Sequence, residues 1–425
     1  MTVPTSSFAP TPASPLPLKR PAWRDLLHAS VVVSALGYFV DIYDLVLFSI
    51  VRKPSLLALG VTPDRLLAEG VWLINMQMGG MLIGGLLWGI LGDKRGRVSV
   101  LFGSILLYSI ANILNAFVSS VEAYAVLRLL AGIGLAGELG AAVTLVSESL
   151  KKEHRGYATG IVAGVGVSGA IAAGLVAEAL DWKMAYIVGG LLGLALLLLR
   201  MRMLESPLFS AQVSPPRERG NFFMLWNHAG RCKRYLASIL VGVPIWFVIG
   251  VLVTFAPEIT QELGATASVS AAQGIMWAYG GLVLGDLGSG FLSQALGSRR
   301  RVLFGFLSGL TATMLVYLFS TGQSPAYYLG LCFVLGVFAG YWAVFVTIAA
   351  EQFGTNLRST VATTVPNFVR GLLVPMTLAF QALRAPFGLR MAALTVGLVA
   401  VTIAFIAARF LPETYGKDLN FLEVS

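Results

Sequence analysis

The sequence predicts an all-α membrane protein of 12 transmembrane helices in two pseudo-symmetric six-helix halves. Three observations lead there: too few charges to cover a water-soluble surface, a dozen apolar segments of span length, and a duplication at an offset of about 200 residues. Charged residues make up 12% of the 425, where a soluble protein carries roughly 25%. With 56% hydrophobic residues and 47 glycines, such a chain can be solvated only by lipid. Neither disorder nor a disulfide-stapled fold fits it.

The segments fall at 29–51, 70–92, 98–118, 123–147, 157–180 and 184–203, and then at 236–257, 270–296, 302–320, 326–350, 359–383 and 389–410. Each holds a core near the roughly 20 apolar residues that cross a bilayer. In lipid such a segment is helical, because its backbone groups find no other partners. The longest interruption contains Pro207, Pro215 and Pro216, which makes 204–234 the expected cytoplasmic linker between halves at 29–203 and 235–411. Residues 1–28, rich in Pro, Ser and Thr near their start, are expected to form a disordered cytoplasmic tail and not a cleaved signal, and 412–425 a second tail.

Of the 30 basic residues, 22 fall on the side of the termini. Six (Arg52, Lys53, Arg65, Lys183, Arg384 and Arg390) fall on the other side, and Arg128 and Arg370 lie inside spans. That asymmetry predicts cytoplasmic termini. It also explains the net charge of +9 without nucleic acid as a partner. The two cysteines and three histidines show no metal-ligand spacing. No phosphate-binding loop and no nucleophile–His–acid set is present, so an enzyme is not expected.

The duplication is legible in short runs. Gly89-Ile-Leu-Gly-Asp93-Lys-Arg-Gly96-Arg97 recurs as Gly290-Phe-Leu-Ser-Gln294-Ala-Leu-Gly297-Ser-Arg299-Arg300, and the pair Glu148 and Arg155 recurs as Glu351 and Arg358. Parallel repeats of this size place a binding site between the halves near the bilayer midplane. The Gly85–Arg97 run closely resembles the signature loop of the major facilitator superfamily, and Leu127-Arg128-xxx-Gly132-x-Gly134 resembles that superfamily's fourth-span motif. Glu205-Ser206-Pro207 and Pro412-Glu413-Thr414 look like its sugar and metabolite porters. Asp41-Ile-Tyr43-Asp44 resembles the first-span motif of its proton-coupled symporters of phosphate, aromatic acids and other carboxylates. Glu138-Leu139-Gly140 stands where the phosphate porters have Asp-Tyr-Pro, which points away from phosphate and towards an organic anion.

The resemblance implies alternating access, with Gly89, Asp93, Arg95, Gly96, Arg97, Arg128, Glu148, Arg155, Glu351 and Arg358 as gating residues. Asp41 and Asp44, three apart and so on one helix face, are candidate proton carriers, alone or sharing a proton. Glu138 is a third. Arg370 either anchors an anionic substrate with its planar fork or pairs permanently with Asp286. Tyr43, Asn75, Gln77, Tyr279, Tyr341, Trp342, Asn367 and Gln381 are further cavity candidates; each has a plain packing role as its alternative.

The expected function is proton-coupled symport of a small organic anion across a bacterial inner membrane by a monomer, with no cofactor but the proton gradient. An exporter or antiporter of amphipathic compounds and a transport-dead receptor are the alternatives.

Overall fold

The computed structural model describes residues 29–95, 97–138, 162–204, 222–416, 421 and 423, and among these every regular element is helical. In chain order the first helices are α1 (Ala29–Ala58), α2 (Leu66–Arg95), α3 (Arg97–Asn115), α4 (Val121–Leu135), α5 (Gly169–Ala179) and α6 (Trp182–Leu204). After a short 3-10 turn comes α7 (Ala229–Phe247), which continues as a π-helical stretch (Val248–Val253), then α8 (Ala256–Glu262) and α9 (Ala271–Ala295). The last are α10 (Arg299–Phe319), α11 (Pro325–Ala339), α12 (Trp342–Glu351), α13 (Thr355–Gly371) and α14 (Leu373–Phe410).

Each of the 12 expected segments overlaps one of these helices, yet 9 helical runs among the described residues are long and apolar enough to cross a membrane. The difference has two sources. The third and fourth segments are described as shorter helices, Phe102–Asn115 and Val121–Leu135, and the fourth lies outside the described residues beyond Glu138. The eleventh and twelfth run together as one stretch, Asn356–Phe410. Within α14 the chain turns at Gly388, whose φ of 77° suits a residue without Cβ. There Glu262 accepts the N–H groups of Leu389 and Arg390, both at 2.9 Å, as a cap for the helix that follows. The tail at 1–28 and most of the expected linker lie outside the described residues.

Large apolar side chains such as Phe117, Leu175, Leu198, Leu284 and Phe291 stand exposed on the outer surface, as in a protein solvated by lipid. Inside, one packing device occurs twice. Gly80 and Gly84 of α2 lie against the carbonyls of Leu129 and Ile133 on α4, and Gly132 lies against that of Gln77. On α9 and α11, Gly281 and Gly285 lie against the carbonyls of Phe333 and Val337, and Gly336 against that of Ala278. A Cβ at any of the six would collide with backbone, so small residues set the interhelix distance in both pairs. The duplicated runs in the sequence therefore accompany a duplicated helix contact. Helices from the two parts of the chain meet where α2 packs on α13 and α14, and where α9 packs on α5 and α1.

Glu413, just past the last helix, caps the start of α10. It accepts the Ser298 hydroxyl at 2.6 Å and the backbone N–H groups of Arg299 and Arg300 at 3.1 and 3.2 Å. Burial alone raises this carboxyl, but the Ser298 hydroxyl and the backbone donors outweigh it and bring the pKa down to about 2. A depressed carboxylate contributes stability that is complete above its unfolded value and lost as pH falls through the folded one. Acid titration of the purified protein should therefore show a loss of stability between about pH 4.5 and about pH 2 that is diminished in Glu413→Gln. Identical acid profiles for the two proteins would contradict the cap.

Candidate functional site

Arg370 lies at the end of α13, fully buried, and faces Asp41 of α1 across the meeting of the two parts of the chain, with Nη2 3.8 Å from Oδ2. That separation is an ion pair but is too long for a hydrogen bond. Among the described residues, Nε and Nη1 of Arg370 and both oxygens of Asp41 have no hydrogen-bond partner. The guanidinium lies 5.6 Å from the ring of Trp246 on α7 and 5.8 Å from the ring of Trp342 on α12, within the range of cation–π attraction. Tyr38 of α1 and Tyr279 of α9 complete the cluster, each within the field of both Arg370 and Asp41. Trp246 is separated by Phe247 alone from the π-helical stretch, a distortion common at functional positions.

Asp286 is not the partner of Arg370. The tenth expected span is broken: α11 ends at Ala339, Tyr341 interrupts it, and α12 starts at Trp342. The restarted helix has orphan N–H groups, and Asp286 Oδ1 accepts that of Ala343 at 3.0 Å. Ser289 donates to the Gly340 carbonyl at 2.8 Å, so two side chains of α9 repair the break. The buried acid on α9 thus has a structural duty that the sequence did not reveal, although its Oδ2 remains without a partner.

Asp41 and Asp44 do not form a carboxylate pair. Three residues turn a helix about 300°, and this rotation gives the two acids different neighbours. Asp44 faces into α3, α4 and α6, where it meets Arg128 and Asn112, and Gly189 of α6 makes room for its Oδ1. Arg128, expected inside a span as a gating residue, lies fully buried in this core. It donates to Asn112 at 2.6 Å and to Gln77 at 3.5 Å and lies over the Tyr186 ring at 4.9 Å. Tyr186 in turn bonds Tyr124 at 2.5 Å.

Glu138, a third expected proton carrier, is held by both terminal nitrogens of Arg200 in a buried, forked ion pair. Arg200 is only 5% exposed and does not belong to the surface charge of the membrane edge. Gly37 of α1 leaves space for both side chains. Removing one member of such a pair strands the other. Glu138→Gln should cost about 3–5 kcal/mol in detergent unfolding experiments, and Glu138→Gln with Arg200→Met should regain most of it. A single variant as stable as the parent would mean the pair does not hold the fold.

The remaining candidates bridge helices. Tyr43 donates to the Ala185 carbonyl at 3.0 Å and Tyr341 to that of Val241 at 2.8 Å. Each hydroxyl donates to a backbone carbonyl of a neighbouring helix, the packing role that was its alternative reading. Gln77 donates to the Leu45 carbonyl at 3.0 Å. Asn75 accepts from Thr377 at 2.5 Å, Asn367 donates to the Ala136 carbonyl at 2.9 Å and Gln381 to that of Ala68 at 3.4 Å. The last three bonds tie α13 and α14 to the N-terminal helices near the site.

Of the expected gating residues, Gly96, Glu148 and Arg155 lie outside the described residues, as do the side chains of Asp93, Arg95 and Arg97; Gly89 lies in α2. In the later repeat, Glu351 pairs with Arg299 at 2.7 Å, and Arg358 lies close enough to add its field. Sequence reading missed Trp246, Tyr38, Arg200 and Arg299. An apolar Trp in a span and an Arg next to a basic linker carry no local signal of such roles.

A family model described as the Major Facilitator Superfamily matches residues 34–374. The chain is 24% identical to the niacin transporter of Acinetobacter baylyi, over 91% of this chain and 94% of that one. It is 30% identical to the 3-(3-hydroxy-phenyl)propionate transporter of Escherichia coli, over 68% and 71%. It is 25% identical to the 4-hydroxybenzoate transporter of Pseudomonas putida, over 72% and 73%.

Proposed function

Because this chain belongs to the Major Facilitator Superfamily, we propose that it is a proton-coupled symporter of a small aromatic carboxylate in which substrate and Asp41 compete for Arg370. The chain is a multi-pass membrane transporter and not an enzyme. The observation that carries the finer reading is the loose Arg370–Asp41 contact at 3.8 Å, with unfilled donors on one side and unfilled acceptors on the other. A guanidinium accommodates a carboxylate bidentately, and the rings of Trp246 and Trp342 flank it where the substrate's own ring would lie. The substrates named for the three relatives, niacin among them, are small aromatic compounds.

Coupling follows from charge. One buried cation balances one anion; a second anion beside it is costly in a site of low dielectric. When the substrate carboxylate takes the fork of Arg370, Asp41 must take up a proton, and the loaded site is neutral overall. Without substrate, Asp41 returns to Arg370. Neutral states cross more readily than charged ones, so proton and anion travel together. Asp44 beside Arg128 is a second titratable site, separate from the substrate. Asp93 and its loop, with the Arg299–Glu351 pair, hold one end closed, in a bacterial inner membrane with both termini cytoplasmic.

The test is flux in proteoliposomes with an imposed pH gradient. Nicotinate and 4-hydroxybenzoate should accumulate towards the alkaline side, a protonophore should abolish the accumulation, and nicotinamide should not be concentrated. Transport indifferent to the pH gradient, or nicotinamide carried as well as nicotinate, would sink the reading.

A further inference from the structure

We propose that Arg52 and Glu258 form an anion-operated gate, at which an arriving carboxylate displaces Glu258 from the Arg52 guanidinium and so parts the helices that the pair joins. This inference rests on the reading that the substrate is a carboxylate and adds to it a second, outer binding site for the same anion.

The pair joins α1 to α8, elements 206 residues apart in the chain, with Nη2 of Arg52 2.5 Å from Oε1 of Glu258. Arg52 is 1% exposed and is held in a built slot. Its guanidinium lies 4.5 Å from the ring of Phe255. Gly70 of α2 leaves room for its stem; a Cβ there would meet Cδ at 2.6 Å. Yet the group is underused: among the described residues Nε and Nη1 have no hydrogen-bond partner, and neither has Oε2 of Glu258. A buried guanidinium with one of its hydrogen-bonding edges unfilled favours a forked acceptor over the single oxygen that Glu258 supplies.

The surroundings give an anion access. A cavity of about 770 Å³ lies on the Arg52 side, and another of about 670 Å³ on the Glu258 side, with Lys53 and Gln261 lining both. Arg384 and Lys53 line the latter beside the exposed carboxylates of Asp64 and Glu262, and Glu178 and Asp181 stand exposed on the wall of the former. Arg52 borders the first space and Glu258 the second, so each member of the pair faces one of them.

The same elements reach the inner site. Asp41 precedes Arg52 on α1 by 11 residues, which is about 16 Å along a helix. Trp246, beside Arg370, precedes Glu258 through the π-helical stretch. Release of the pair therefore frees α1, which carries Asp41, and α8, which follows the α7 helix of Trp246 across the π-helical stretch.

The experiment measures 4-hydroxybenzoate transport by the full chain in oriented proteoliposomes, with the KM taken separately from each face. Glu258→Gln removes the competitor and should lower the KM from the Arg52 face by about threefold or more, whereas Arg52→Gln should raise it by about tenfold or more. Arg52→Lys, which keeps the charge without the fork, should fall between Arg52→Gln and the parent. The KM from the opposite face should stay within about twofold in all three, since the inner site is intact. If Arg52→Gln and Glu258→Gln shift the KM in the same direction, the pair is a plain strut and the gate is overturned while the carboxylate reading stands. Should any variant be too unstable to assay, Arg52→Lys against the parent decides, an unchanged KM overturning the proposal. A parent protein that carries neither 4-hydroxybenzoate nor nicotinate overturns the carboxylate reading and the gate with it.

Discussion

Arg370→Gln is expected to abolish carboxylate binding while leaving the protein folded. The substrate loses the cation of the inner site, and truncating one side of a buried charge pair costs about 2–5 kcal/mol of binding, roughly 30-fold to several thousandfold. Folding is expected to tolerate the change because Arg370 touches Asp41 without a hydrogen bond, and Asp41 can take up a proton once its cation is gone. Arg370→Lys should retain weak binding, because it keeps the charge and loses the fork. Equilibrium binding of 4-hydroxybenzoate to purified protein, paired with a thermal unfolding profile, separates loss of the site from loss of the fold. Unimpaired affinity in a folded Arg370→Gln protein would rule out Arg370 as the anchor.

Asp41→Asn is expected to separate transport from the proton. The amide cannot claim the guanidinium as a carboxylate does, so Arg370 is permanently available to the substrate. Affinity should become independent of pH and should equal or exceed that of the parent in alkaline conditions. The parent should lose up to tenfold in affinity per pH unit once Asp41 is ionised, the limit for one linked proton. Exchange of external for internal carboxylate should continue in Asp41→Asn, and uphill accumulation should fail. Retained accumulation would move the coupling to Asp44, which faces Arg128.

The contrast between these two acids shows where sequence reading stops. Composition and span length led to an all-α membrane fold, because the bilayer imposes length and helicity on every segment alike. The duplication was legible in the Gly89–Arg97 and Gly290–Arg300 runs, and the backbone contacts of Gly80 and Gly84 in one repeat and of Gly281 and Gly285 in the other stand at the same offset. Asp41, Asp44, Asp286 and Arg370 stood out as charges inside apolar runs, which are too costly to lack a role. Their partners did not. Whether Arg370 meets Asp286 or Asp41 depends on which helix faces of distant segments come together, and a break in one helix drew Asp286 away. Spacing of three on a helix placed Asp41 and Asp44 on one face, but the boundary between α1's two sets of neighbours runs between them. Glu138 was visible and Arg200 was not, since a basic residue near a cytoplasmic linker resembles surface charge until the fold buries it.

The central claim is that the substrate carboxylate and Asp41 exclude each other from Arg370, so that each anion brings one proton. The most direct measurement is proton uptake on adding 4-hydroxybenzoate to the purified transporter in weakly buffered detergent solution, above the pH at which Asp41 ionises. The parent protein is predicted to take up about one proton per anion bound, and Asp41→Asn to bind the anion and take up none. Binding by the parent without proton uptake, or equal uptake by both proteins, would contradict it.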